Sequence, residues 1–217
     1  MTMKRVHCLL AFLLLILALT GCDWRGIRGN GHVTTEQRSL GNFSRLDAGG
    51  YYKVEWHPGP VSFSLTTDEN LLSHIKTSVQ GDVLKLEMHG PISPTSGVKV
   101  EITSPSLTGA RLSGALQMSA TSLTGGTFAL ETSGATKVAL SGQVNRLLAS
   151  LTGASKLQAG DLVAQDVEIS VTGAGKADVY ASNLLRAAIT GAGNVSYHGN
   201  PKSVEKKIAG AGKIEAR

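Results

Sequence analysis

The chain is poor in the residues that staple, clamp or catalyse. Its two cysteines, Cys8 and Cys22, both lie in the first 22 positions, so no disulfide can brace the body that follows. That body must be held by a packed core, and it is long enough for one. Aromatic residues are 5% of the chain, and the second half holds only Phe128, Tyr180 and Tyr197. Phe128 and Tyr197 fall in the apolar columns defined below, which leaves sugar stacking without an obvious platform. Nucleic-acid binding, which wants exposed aromatics on a basic surface, is excluded on the same ground. The histidines after Cys22 are His32, His57, His74, His89 and His198. They form no His-x-x-x-His pair and no Cys/His cluster, so no metal site is expected. No Gly-x-Ser-x-Gly elbow occurs. The pairs Gly175-Lys176 and Gly212-Lys213 lack the rest of a phosphate loop: Ser170 and Lys207 stand where its first glycine belongs, and Ala177 and Ile214 where its hydroxyl belongs. No cofactor is therefore expected. Helical periodicity is missing as well, since glycine and β-branched residues recur too often.

What the chain does have is a repeat. Ser113-Gly114-Ala115, Ser133-Gly134-Ala135, Thr152-Gly153-Ala154, Thr172-Gly173-Ala174, Thr190-Gly191-Ala192 and Ala209-Gly210-Ala211 recur at glycine spacings of 20, 19, 20, 18 and 19. Such a period marks one supersecondary unit stacked on its copies. Four residues after each glycine lie Met118, Val138, Leu157, Ala177, Val195 and Ile214, and the sixth position is again apolar or small. The third position reads Gln117, Lys137, Lys156, Lys176, Asn194 and Lys213. Alternation of apolar and polar columns predicts strands with one buried face. Ahead of the glycine, Leu147, Ala149 and Leu151 alternate in one copy, and Val167, Ile169 and Val171 in the next. Each unit thus holds two strands joined at a glycine corner. An antiparallel sandwich would also give short strands with turns, but it would not keep one residue type in one column through successive copies. The expected fold is all-β, a right-handed parallel β-helix-like solenoid of about 20 residues per coil. The part before it, where Tyr52/Val54/Trp56, Phe63/Leu65, Leu84/Leu86 and Val98/Val100/Ile102 alternate, reads as mixed β structure capping one end.

The first residues read differently. Lys4 and Arg5 precede an apolar run from Leu9 to Leu19, too short to span a bilayer comfortably. The run closes on Leu19-Thr20-Gly21-Cys22, which resembles the bacterial lipobox, and this resemblance implies cleavage before Cys22 and acylation of its thiol. Asp23, directly after it, resembles the inner-membrane retention signal of enteric bacteria; residence on the periplasmic side of the inner membrane and residence in the outer membrane both stay open.

Gly29-Asn30-Gly31-His32-Val33, the stretch Phe43 to Tyr52, Asp68-Glu69-Asn70-Leu71-Leu72, Leu84-Lys85-Leu86 and the run Thr190 to Pro201 resemble the bacterial head GIN domain family, described as auto-transporter adhesins. The resemblance covers residues 29–217 and implies a β-helical fold and an envelope location, with no catalytic motif to transfer. The chain is thus divided into a lipoprotein signal peptide (1–21), a lipid-anchored tether (22–31), an N-terminal β part (32–105) and the Gly-Ala solenoid (106–217).

For function this leaves a non-catalytic, lipid-anchored envelope protein that presents a solenoid surface as adhesin or binding module. An envelope polysaccharide-active β-helix enzyme is the alternative, against which Asp161, Asp166 and Asp178 look scattered and the corners short. A purely structural lipoprotein is the third possibility. Cys22 is the expected lipidation site. Lys137, Lys156, Lys176 and Lys213 form a candidate anion-binding face for anionic glycan or lipid headgroups, or for an envelope protein. The same row also reads as a solvated face that blocks sheet-to-sheet contact, and the mild net charge of +5 for the whole chain favours that reading. Lys206, Lys207, Lys213 and Arg217 crowd the last coil, which argues for a monomer or weak dimer.

Overall fold

Strands form wherever apolar and polar positions alternate, and glycine marks where the chain turns onto a new face. The computed structural model describes residues 26–217. Strand occupies 72% against 3% helix, which settles the class as all-β. The first part runs β1 (Ile27–Arg28), β2 (Val33–Gln37), β3 (Arg45–Gly50), β4 (Lys53–Pro58) and β5 (Ser62–Asp68), then a 3-10 turn over Glu69–His74, then β6 (Ile75–Gln80), β7 (Val83–Met88), β8 (Ile92–Ser93) and β9 (Lys99–Ser104). The repeats follow as β10 (Gly109–Gly114), β11 (Gln117–Gly134), β12 (Lys137–Gly153), β13 (Lys156–Gly173), β14 (Lys176–Gly191), β15 (Asn194–His198), β16 (Ser203–Gly210) and β17 (Lys213–Ala216).

Strands β11 to β14 are each a whole coil, bent midway and paired in parallel with the next. Val138 lies opposite Leu157, Leu157 opposite Ala177, and Ala177 opposite Val195. This is the expected parallel β-solenoid of about 20 residues per coil, not a sandwich. Its core is a stack of like residues: Leu147, Val167 and Leu185 are all fully buried, as are Phe128 and Val179. The register shifts at the second corner, between Ala139 and Gly142 and between Ala159 and Val163, where the sequence repeats least well.

The first corner is regular because glycine is required there twice over. Gly114, Gly134, Gly153, Gly173, Gly191 and Gly210 all have φ between 92° and 124°. A Cβ on any of them would also lie within 2.8 Å of the carbonyl oxygen of the glycine one coil below. That close approach lets each following alanine N–H donate to the same carbonyl, as in Ala154 to Gly134 at 2.9 Å. The second glycine of each Gly-Ala-Gly has a different cause. A Cβ at Gly193 would meet Val171 Cγ1 at 2.6 Å, and one at Gly212 would meet Ile189 Cγ2 at 2.6 Å. The glycines that resemble part of a phosphate loop therefore make room for the core.

The glycine column does not stop where the Gly-Ala signature stops. Gly50 pairs with Gly114, and β4 lies under β11 with Lys53 opposite Gln117. Strands β7 and β9 form a further layer beneath β3 and β4. Solenoid stacking thus enters the region the sequence reads as non-repetitive, because Gly49-Gly50-Tyr51 departs from the Ser/Thr-Gly-Ala pattern. Antiparallel β2, β5 and β6 close this end.

Residues 26–31 are strapped onto the body. Strand β1 pairs with β8, and Asp68, fully buried, holds the strap with its carboxylate. Its Oδ1 accepts from Gly31 N–H at 2.8 Å and Thr95 Oγ1 at 2.7 Å, and its Oδ2 from Thr95 N–H at 2.8 Å. Asn70 adds two bonds, accepting from Asn30 N–H and donating to the Arg28 carbonyl, each at 2.9 Å. The opposite end is open. Val204 and Ile208 continue inward columns with no coil above them among the described residues and are 38% and 46% exposed. Lys206, in the column between them, folds over that end: its Nζ sits 5.0 Å from the Tyr197 ring centroid and donates to the Ile214 carbonyl at 3.2 Å.

Candidate binding faces

The lysine row follows from the strand period. A residue three places after the corner glycine points outward, and parallel register stacks it on its counterpart one coil away, about 4.8 Å distant. Lys137, Lys156 and Lys176 lie opposite one another in this way, then Asn194 and Lys213. The row also extends the other way, through Gln117 to Lys53 and Lys99. Its two ends are neutralised. Lys213 pairs with Glu215 at 2.5 Å, Lys53 with Glu55 at 2.8 Å, and Lys99 with Glu101 at 2.5 Å. The bond from Lys53 holds the Glu55 carboxyl below its ordinary range. Lys137, Lys156 and Lys176 have no ion-pair partner among the described residues. Beside them Lys156, Lys176, Lys213 and Arg217 rim a shallow recess of about 540 Å³.

The corner beyond this row carries a second recess, of about 610 Å³. Here His198 Nε2 and Asp178 Oδ1 are 3.0 Å apart, each side chain about a third exposed. Tyr180, Gln158, Asp161 and Gly160 line the same space. The structure thus gathers two of the three aspartates that look scattered in sequence; Asp166 lies elsewhere, within 2.8 Å of Asn183 Nδ2. Asp178 lies opposite Ser196 and His198 opposite Tyr180, so the pair meets across one coil step between different columns. Phe128 and Tyr197 are buried as expected, but Tyr180 is half-exposed and supplies an aromatic side chain at this recess. No hydroxyl or thiol among the described residues hydrogen-bonds His198, and no described group of three or more His, Cys, Asp or Glu is placed to hold a metal ion. Cys22 lies outside the described residues. No helix among them is long and apolar enough to cross a membrane.

The family described as "Putative auto-transporter adhesin, head GIN domain" matches residues 42–201. The chain belongs to the head GIN domain family. Solved structures resemble it in fold. A putative adhesin from Bacteroides fragilis superposes with a TM-score of 0.73 at 21% identity, over 88% of this chain and 100% of that one. A putative adhesin from Parabacteroides merdae gives 0.57 at 19% identity, over 88% and 98%. A putative lipid binding protein from Parabacteroides distasonis gives 0.55 at 22% identity, over 88% and 99%. No curated protein matches the chain. These likenesses carry the fold, and the sites rest on the residues of this chain.

Proposed function

We propose that this head GIN protein is a non-catalytic binding module of the cell envelope, anchored by lipid at Cys22, whose solenoid presents a basic row to an anionic envelope glycan. The observation that carries the reading is the contrast along one column: its end lysines are paired with carboxylates, whereas Lys137, Lys156 and Lys176 are not. Three cations repeating at about 4.8 Å along a rigid ladder suit a polymer with regularly spaced negative charge. Membership of a family named for adhesins supports the envelope setting, and the lipobox at Leu19–Cys22 supports the anchor. The absence of a hydroxyl or thiol on His198 favours binding over an activated nucleophile.

Retention of the full-length protein on immobilised polygalacturonate tests the reading. Binding is expected to weaken steeply with salt, because surface charges are screened. The triple variant Lys137→Gln/Lys156→Gln/Lys176→Gln is expected to lose it at unchanged thermal midpoint. Equal retention of the triple variant removes the row from the function.

A further inference from the structure

The recess at the second corner is a site of different chemistry from the basic row. We propose that it binds a neutral oligosaccharide, held by Tyr180, Asp161, Gln158 and the His198–Asp178 pair. This reading stands apart from the lysine row and does not depend on the anchor.

Shape comes first. The recess crosses successive coils from Thr121 through Ser141 and Gly160 to Tyr180 and His198. Four coil steps at about 4.8 Å make it roughly 19 Å long, which suits a short chain of sugars better than one ring. Its floor is small, formed by Ala139, Ser141 and Gly160. Gly160 is informative because its backbone is not left-handed, so the main chain does not require glycine there. A Cβ at that position would lie 2.8 Å from Asp178 Oδ2 and 3.5 Å from His198 Cδ2. The missing side chain makes room for the His–Asp pair to lie across the strand.

Chemistry comes second. His198 Nε2 engages Asp178 Oδ1 at 3.0 Å, which fixes the ring and leaves Asp178 Oδ2 without a hydrogen-bond partner among the described residues. That oxygen, the Asp161 carboxylate and the Gln158 amide offer acceptors and donors matched to vicinal hydroxyls. Tyr180 adds an apolar ring surface for the C–H face of a sugar. Two carboxylates against one imidazole repel an anionic ligand, which separates this site from the basic row beside it.

Titration calorimetry and saturation-transfer NMR of the full-length protein in detergent, with cellotriose, maltotriose, chitotriose and mannotriose as neutral probes, test the proposal. At least one is expected to bind. Tyr180→Ala and Gly160→Ala are each expected to weaken it tenfold or more, while Lys156→Gln/Lys176→Gln leaves it within twofold. Asp161→Asn, on an exposed side chain, gives the same test should either of the first two fail to fold. The proposal is overturned if none of the four trisaccharides binds, if binding survives the folded variants unchanged, or if trigalacturonate or hexalysine occupies the recess instead.

Discussion

At the scale of the residue, the corner glycines are fixed by backbone angle and by distance together. Gly191 has φ of 118° and its absent Cβ would sit 2.6 Å from the Gly173 carbonyl. Left-handed strain alone costs about 1–3 kcal/mol. Gly191→Ala is expected to lose at least that much in a denaturant titration. Gly126→Ala is expected to be neutral or slightly stabilising, since Gly126 has no left-handed φ and open space around it. Similar losses for both would mean that the corner is not the constraint. Asp68 gives a second residue-scale test. Burial pushes its carboxyl up, but the Thr95 hydroxyl, the Thr95 N–H and the Gly31 N–H outweigh that and hold it below its ordinary value. A depressed folded pKa means the contribution is present above the unfolded value, about 3.9, and is lost as pH falls through the lower folded value. The strap over residues 26–31 should therefore stay protected from hydrogen exchange at neutral pH and open only in acid below about pH 4. Asp68→Asn should open it at neutral pH, and unchanged protection in that variant would rule out the carboxylate as the clasp.

At the scale of the element, register is the quantity to test. Leu157 is 1% exposed between Val138 and Ala177, whereas Lys156, next to it, faces solvent. Leu157→Asp buries an unpaired carboxylate, which costs several kcal/mol against the ~5–15 kcal/mol that holds a typical domain. It should abolish the cooperative melt, and Lys156→Asp should leave it in place; equal damage from both would mean the alternation is off by one residue. The strands were legible because this alternation is local and repeats. The glycine at 50 was not, because a column is recognised by neighbours in sequence, and Gly49-Gly50-Tyr51 has none that look like it. Lys137, Lys156 and Lys176 could be read as a row, but its extension to Lys53 and Lys99, paired with Glu55 and Glu101 two residues along their own strands, could not, since only the fold brings β4 and β9 to the same face. His198 and Asp178 escaped notice for a related reason. They sit in different columns and meet only across one coil step.

At the scale of the whole molecule, the lipid anchor proposed at Cys22 would set the direction in which everything faces. Cys22→Ser should abolish labelling by a palmitate analogue and release the protein from membranes, because stable attachment needs two or more acyl chains; continued labelling would place the lipid elsewhere. Three residues lie between Cys22 and Gly26, and the four steps reach at most about 14 Å when extended. A protein so tied would stand with its capped end at the membrane and its open end away from it. The interchangeable glycine corners then make the height of that stand a heritable variable. Removal of residues 154–173 would splice Gly153 onto Ala174 and restore the same Thr-Gly-Ala junction. Coils touch only their neighbours, so the shortened chain should still close its core. It should also melt as one unit and be shorter by about 4.8 Å. Duplication of the same segment would lift the outer end by as much, with one more lysine in the row. A lineage could thus tune how far this surface stands from its anchor by copying or dropping whole turns, without redesigning any of them.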